Sequence, residues 1–137
     1  MKTKLIKFSM VIALCIFIIS GCKKETEAEI KAALEGSWKI SKYDGQTLQS
    51  PAYGTFIATS TSSTQGKSDL VLSFNGTTTS KETASFVVTD NNSKITFTKT
   101  DGNYTVLSGG GTWTINAISS SSLKMTSQYG LVLEMTK

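Results

Sequence analysis

The chain has 137 residues, 14 basic against 10 acidic side chains, a formal charge of +4 and no histidine. Every base is lysine, so the chain lacks both the bidentate fork that arginine offers phosphate and the imidazole that serves as general base or metal ligand. At this length one domain with one core is expected, and a serine and threonine content above a quarter suits a solvated β-surface.

Residues 1–21 read as an export signal. Lys2, Lys4 and Lys7 give a positive start, and Phe8 to Ile19 is apolar apart from Ser9. That run is shorter than the ~20 residues a spanning helix needs, which favours a cleaved signal peptide over an anchor helix. It closes in Ile18-Ile19-Ser20-Gly21-Cys22, which resembles the lipobox of bacterial lipoproteins. The resemblance implies cleavage before Cys22 and acylation of its thiol. Cys15 follows Leu14, too bulky for a cleavage position. The plainer alternative is a secreted protein with one free thiol. Two or three acyl chains, at about 0.8 kcal/mol per buried CH₂, would hold the protein permanently at a membrane. Without Lys2, Lys4 and Lys7 the count is 11 lysines against 10 acids, or +1, which gives no reason to expect nucleic acid. One remaining cysteine allows no internal disulfide.

Residues 22–35 form the expected tether. Lys23-Lys24-Glu25-Thr26-Glu27-Ala28-Glu29 is a solvated charged run. It also resembles the lysine-and-acid tags that send some Gram-negative lipoproteins to the cell surface. A short helix is predicted from Thr26 to Leu34: Thr26 and Glu29 have capping-box spacing, Glu27 and Lys31 pair at i,i+4, and Gly36 terminates it.

From Gly36 onward the period becomes two. Trp38 and Ile40 alternate with polar residues up to Asp44-Gly45, a turn signal. Residues 46–52 read as a loop holding Pro51, and 56–64 as a strand of unreadable register. Leu70, Leu72 and Phe74 alternate before Asn75-Gly76, a tight-turn dipeptide. Phe86 and Val88, then Ile95 and Phe97, then Tyr104 and Val106 alternate in strands separated by turns at Asp90–Ser93 and Asp101-Gly102. Gly109-Gly110-Gly111 precedes a threonine-rich strand, not a helix, so it reads as a hairpin turn or bulge and not a phosphate cradle. Trp113 and Ile115, Leu123 and Met125, and Leu131, Leu133 and Met135 complete the pattern, with a turn at Tyr129-Gly130. The expectation is an all-β antiparallel up-and-down meander of eight or nine strands over residues 36–137, closed into a barrel with no exposed edge.

Leu34-x-Gly36-x-Trp38-Lys39, Gly111-Thr112-Trp113-Thr114-Ile115 and Ser122-Leu123-Lys124-Met125 together resemble the lipocalin-like domains of small bacterial lipoproteins, over about residues 32–137. The resemblance implies a lipocalin-like eight-stranded barrel with Gly36 and Trp38 closing one end. Animal lipocalins lay an arginine over that tryptophan, and here only Lys124 or Lys137 could substitute. Two functions follow as expectations. In one, the barrel holds a small hydrophobic ligand against an apolar lining. That lining includes Phe74, Phe86, Phe97, Tyr104, Trp113, Met125 and Leu133, with Phe56, Leu72, Val88, Ile95, Val106, Ile115 and Leu123 also pointing inward. In the other, the core is filled and the serine- and threonine-rich outer surface contacts a protein or envelope glycan. No catalytic residue, cofactor or metal is expected, since Asp44, Asp69, Asp90 and Asp101 sit at turns for backbone reasons. The chain is expected to be a monomeric outer-membrane lipoprotein of a Gram-negative envelope, facing the periplasm or the surface.

Overall fold

The computed structural model describes residues 33–62, 64–89 and 93–137. Cys22, the export signal, the charged tether and most of the expected Thr26–Leu34 helix lie outside them. Among the described residues only Ala33 and Leu34 are helical. The strands are β1 Gly36–Tyr43, β2 Gln46–Thr47, β3 Tyr53–Ser60, β4 Gln65–Ser73, β5 Ser80–Thr89, β6 Lys94–Gly102, β7 Thr112–Ile118, β8 Ser122–Ser127 and β9 Val132–Thr136.

All pair antiparallel in one sheet, in the order β2-β1-β3-β4-β5-β6-β7-β8-β9, and β1 also pairs with β9. The sheet therefore closes into an eight-stranded up-and-down barrel, with β2 an extra two-residue strand on the end of β1. Asp44-Gly45 makes the β1–β2 turn as its sequence demands. Both residues have positive φ, +50° and +77°, as a type I′ hairpin requires.

Period-two burial runs through the barrel. Trp38 and Ile40 of β1, Phe56 and Ala58 of β3, Leu70 and Leu72 of β4, and Ala84, Phe86 and Val88 of β5 all face the core. Ile95, Phe97, Trp113, Leu123, Met125, Leu133 and Met135 complete it. The register of β3 was unreadable because two of its inward residues, Gly54 and Ala58, are small. β4 also starts earlier than its apolar alternation suggests, because its first inward residues are Gly66 and Ser68. Space explains Gly66: a Cβ there would lie 2.2 Å from the Phe86 ring.

Three expectations need correction. Asn75-Gly76 does not make a two-residue hairpin. It sits in a longer connection between Ser73 and Ser80, where the Asn75 side chain accepts the amides of Thr77 (3.0 Å) and Thr78 (2.8 Å). The segment from Tyr104 to Val106 is not a strand. After Gly102 (φ +104°) the chain leaves the sheet, the Tyr104 amide bonds to the Lys81 carbonyl, and residues 106–110 form a compact turn, with Gly110 N–H donating to the Val106 carbonyl (3.0 Å). The barrel closes, but the expectation that it leaves no exposed edge does not hold. β6 pairs with β7 only from Lys94 to Thr96 and continues to Gly102, leaving a short edge. A β-bulge at Thr100 of β6, opposite Thr83 and Ala84 of β5, and the exposed Lys99 blunt that edge against pairing with another chain.

Candidate functional site

The strands run between two ends, and a buried tryptophan stands near each. At the end where the chain enters, Trp38 is fully buried and its indole Nε1 donates to the Leu34 carbonyl (2.8 Å). Lys137 Nζ lies 4.2 Å from the centroid of the Trp38 ring and donates to the carbonyls of Glu35 (2.7 Å) and Ala33 (3.2 Å). Of the two lysines able to replace an arginine here, Lys137 takes the place. Lys124 is engaged on the outer wall, where Glu134 receives both Lys42 (2.9 Å) and Lys124 (3.1 Å). Those two hydrogen bonds hold the Glu134 carboxyl below its ordinary pKa.

Between the ends, the barrel is filled by its own side chains. Phe97 packs edge-on against Phe56, Phe86 and Trp113, with centroids 6.2, 6.0 and 6.5 Å apart. Phe86, Phe97, Trp113, Met125 and Leu133, expected to line a ligand, are thus brought together, but as core packing. Phe74 and Tyr104 belong elsewhere. β4 ends before Phe74, which is half exposed and rests its ring on Tyr43 at 5.4 Å. Tyr104 is 38% exposed at the rim.

The turn at 106–110 plugs the second end. Glu82, inward-facing on β5 and buried, accepts the amides of Leu107 (2.7 Å) and Ser108 (2.8 Å), one on each carboxyl oxygen. These are among the first N–H groups of the turn, which a helix-like turn leaves without internal acceptors. The Leu107 carbonyl in turn accepts Trp113 Nε1 (2.8 Å). Gly110 lies flat on that indole, and a Cβ there would come within 2.5 Å of its ring. The inward phase of Ser80, Glu82, Ala84, Phe86 and Val88 was the one available signal for Glu82. Nothing in the sequence pointed to Leu107.

Above the plug lies an open cleft of about 260 Å³. It is lined by Val106, Gly109 and Gly110 of the turn, the last of them lying over the Trp113 indole, and by Tyr43, Tyr104 and Thr105. Ser127, Tyr129 and Leu131, from the end of β8 and the turn into β9, complete the lining. A second depression of about 360 Å³ shares Tyr43 and continues over Gln46, Leu48, Gln49 and Phe74. Among the described residues no charged side chain lines either one. Burial, then the adjacent Tyr104 phenol as neighbouring charge and hydrogen-bond partner, and last the Asp44 carboxylate push the Tyr43 phenol above its usual pKa. Among the described residues no group of three or more Cys, Asp or Glu side chains is placed to hold a metal ion. Asp69 accepts the Thr83 hydroxyl (2.7 Å) and Asp101 the Gly102 amide (2.7 Å), while Asp90 lies outside the described residues.

The fold and its ends define a closed antiparallel β-barrel of lipocalin-like architecture, with a filled interior and an aromatic mouth. No protein-family model matches the chain, and no curated protein matches it. Among solved structures, the tryptamine complex of the amine-binding protein of Rhodnius prolixus shares the fold, with a TM-score of 0.50 and 16% identity. The likeness covers 85% of this chain and 68% of that one, and concerns the fold alone.

Proposed function

We propose that this protein is a non-catalytic binding protein of the Gram-negative envelope, acylated at Cys22, that takes its ligand at the mouth of the barrel. The observation carrying this reading is the tyrosine-lined cleft above the Glu82-held turn. The close packing of Phe97 with Phe56, Phe86 and Trp113 in the interior favours the rim as the place for a ligand over the residues expected to line it. The lipobox resemblance supports the anchor, and the absence of histidine and arginine supports a non-catalytic role. The chain enters the barrel beside Trp38 and Lys137, at the end remote from the tyrosines, so a tether at Cys22 presents the mouth away from its membrane. The fold neighbour's title describes a protein that binds an amine; binding is carried over here as a general property of such barrels, without the ligand.

Two measurements test this. Palmitate labelling and membrane partition should both disappear in Cys22→Ala; a variant that still pelleted with membranes would remove the anchor. The Trp113 indole lies directly under the Gly110 floor, so a ligand in the cleft should alter tryptophan emission. Tyr104→Ala should abolish that response. An emission change that Tyr104→Ala leaves intact would place the ligand elsewhere.

A further inference from the structure

We infer that the ligand of the mouth is a neutral glycan, a chain of uncharged sugar rings laid across Tyr43 from one depression to the next. The inference rests on the mouth being the binding site and deepens it. Three observations carry it. First, the site is open and shallow. Tyr129 is 75% exposed, and the floor is glycine backbone resting on a fully buried Trp113, so a ligand cannot sink further. A hydrophobic small molecule is normally held with about 70–90% of its surface buried, which this site does not supply. Second, the walls combine ring faces with neutral hydrogen-bonding groups: the phenols of Tyr43, Tyr104 and Tyr129, Thr105, and the amides of Gln46 and Gln49. A tyrosine ring offers an apolar face with a polar tip. A pyranose has the complementary form, with C–H faces that lie on rings and equatorial hydroxyls that bond at the edges and in water. Third, no carboxylate or lysine is among the described residues lining the groove, and Asp44, next to Tyr43 in the chain, stands outside both depressions, which leaves neither an ammonium nor a uronate a counter-ion within them.

The two depressions meet at Tyr43, so several rings should bind better than one. The test uses the full acylated protein in detergent, titrated calorimetrically with neutral hexasaccharides of glucose, mannose and N-acetylglucosamine, their monosaccharides, a hexauronate and tryptamine. At least one neutral hexasaccharide should bind at least tenfold more tightly than its monosaccharide. Tyr104→Ala and Tyr129→Ala should each weaken it at least fivefold, and Val87→Thr on the outer wall should leave it unchanged. Tyrosine-dependent binding of tryptamine, with no hexasaccharide bound, would overturn the glycan and leave the mouth site standing. A hexauronate bound more tightly than every neutral chain would overturn the neutrality argument. Binding of any probe that ignored both tyrosine substitutions, or no binding at all, would overturn both readings.

Discussion

Glu82→Gln is the sharpest perturbation of the plug. Each carboxyl oxygen of Glu82 holds one amide, the buried Leu107 on Oε2 and the half-buried Ser108 on Oε1. Hydrogen bonds to a charged acceptor contribute about 1.5–3 kcal/mol each, and a buried donor left unpaired costs about 1–3 kcal/mol. Glutamine keeps one acceptor oxygen and turns an NH₂ toward the other amide, so one bond is lost and one N–H is stranded. The expected loss is about 2–4 kcal/mol, a large part of the ~5–15 kcal/mol that holds a domain of this kind together. With a urea slope of about 2 kcal/mol per molar, the midpoint should fall by roughly 1–2 M at unchanged slope. Amide hydrogen exchange should accelerate first at Leu107 and Ser108. A midpoint that moves by less than about 0.5 kcal/mol equivalent, with both amides still protected, would refute the assignment of Glu82 as the group holding the turn.

Gly110→Ala forces a methyl into the Trp113 ring and should cost about 1–3 kcal/mol in the same denaturation assay; an unchanged midpoint would mean the turn does not rest on the indole. Lys137→Ala removes a cation from over Trp38 and two carbonyl acceptors' donor, for an expected loss of about 1–2 kcal/mol at low salt, while Lys137→Arg should keep most of the stability. Carboxyl NMR titration should find Glu134 below its ordinary value and rising in Lys124→Ala. A depressed folded pKa means its stabilisation is present above the unfolded value and lost as pH falls through the folded one, so a titration indistinguishable from a free glutamate would discard the bridge to Lys42 and Lys124. Tyr43 has the opposite sign: its raised pKa keeps it protonated when folded, with a contribution that is lost as pH rises through the folded value. Ultraviolet titration should show a late-ionising component that Tyr43→Phe removes, and a titration curve that the substitution leaves unchanged in its late part would refute the shift.

Much of the barrel was legible because the pleat has a period of two. Wherever inward residues are large, as at Trp38, Leu70, Phe86, Phe97, Trp113, Met125 and Leu133, alternation in the sequence became alternation in burial. It failed where the barrel needed something smaller or polar inside. Gly66 gives way to Phe86, Ser68 bonds across to the Ala84 carbonyl (3.4 Å), and Glu82 holds a turn twenty-five residues downstream. The ligand-lining residues were legible as apolar and inward-facing, but whether such residues enclose a space or fill it depends on how opposite walls meet.

From the sequence alone came the antiparallel meander, the turn at Asp44-Gly45 and the tryptophan near the chain's entry, all local in origin. Backbone preference and side-chain period act over a few neighbouring residues, so they can be read without coordinates. The tertiary structure alone decided that Lys137 and not Lys124 covers Trp38, that the segment after Gly102 plugs the barrel, and that Phe74 and Tyr104 stand on the rim. Each of these depends on contacts between residues far apart in the chain. Lys137 reaches carbonyls more than a hundred positions away, and no local pattern records which distant partner closure will bring near.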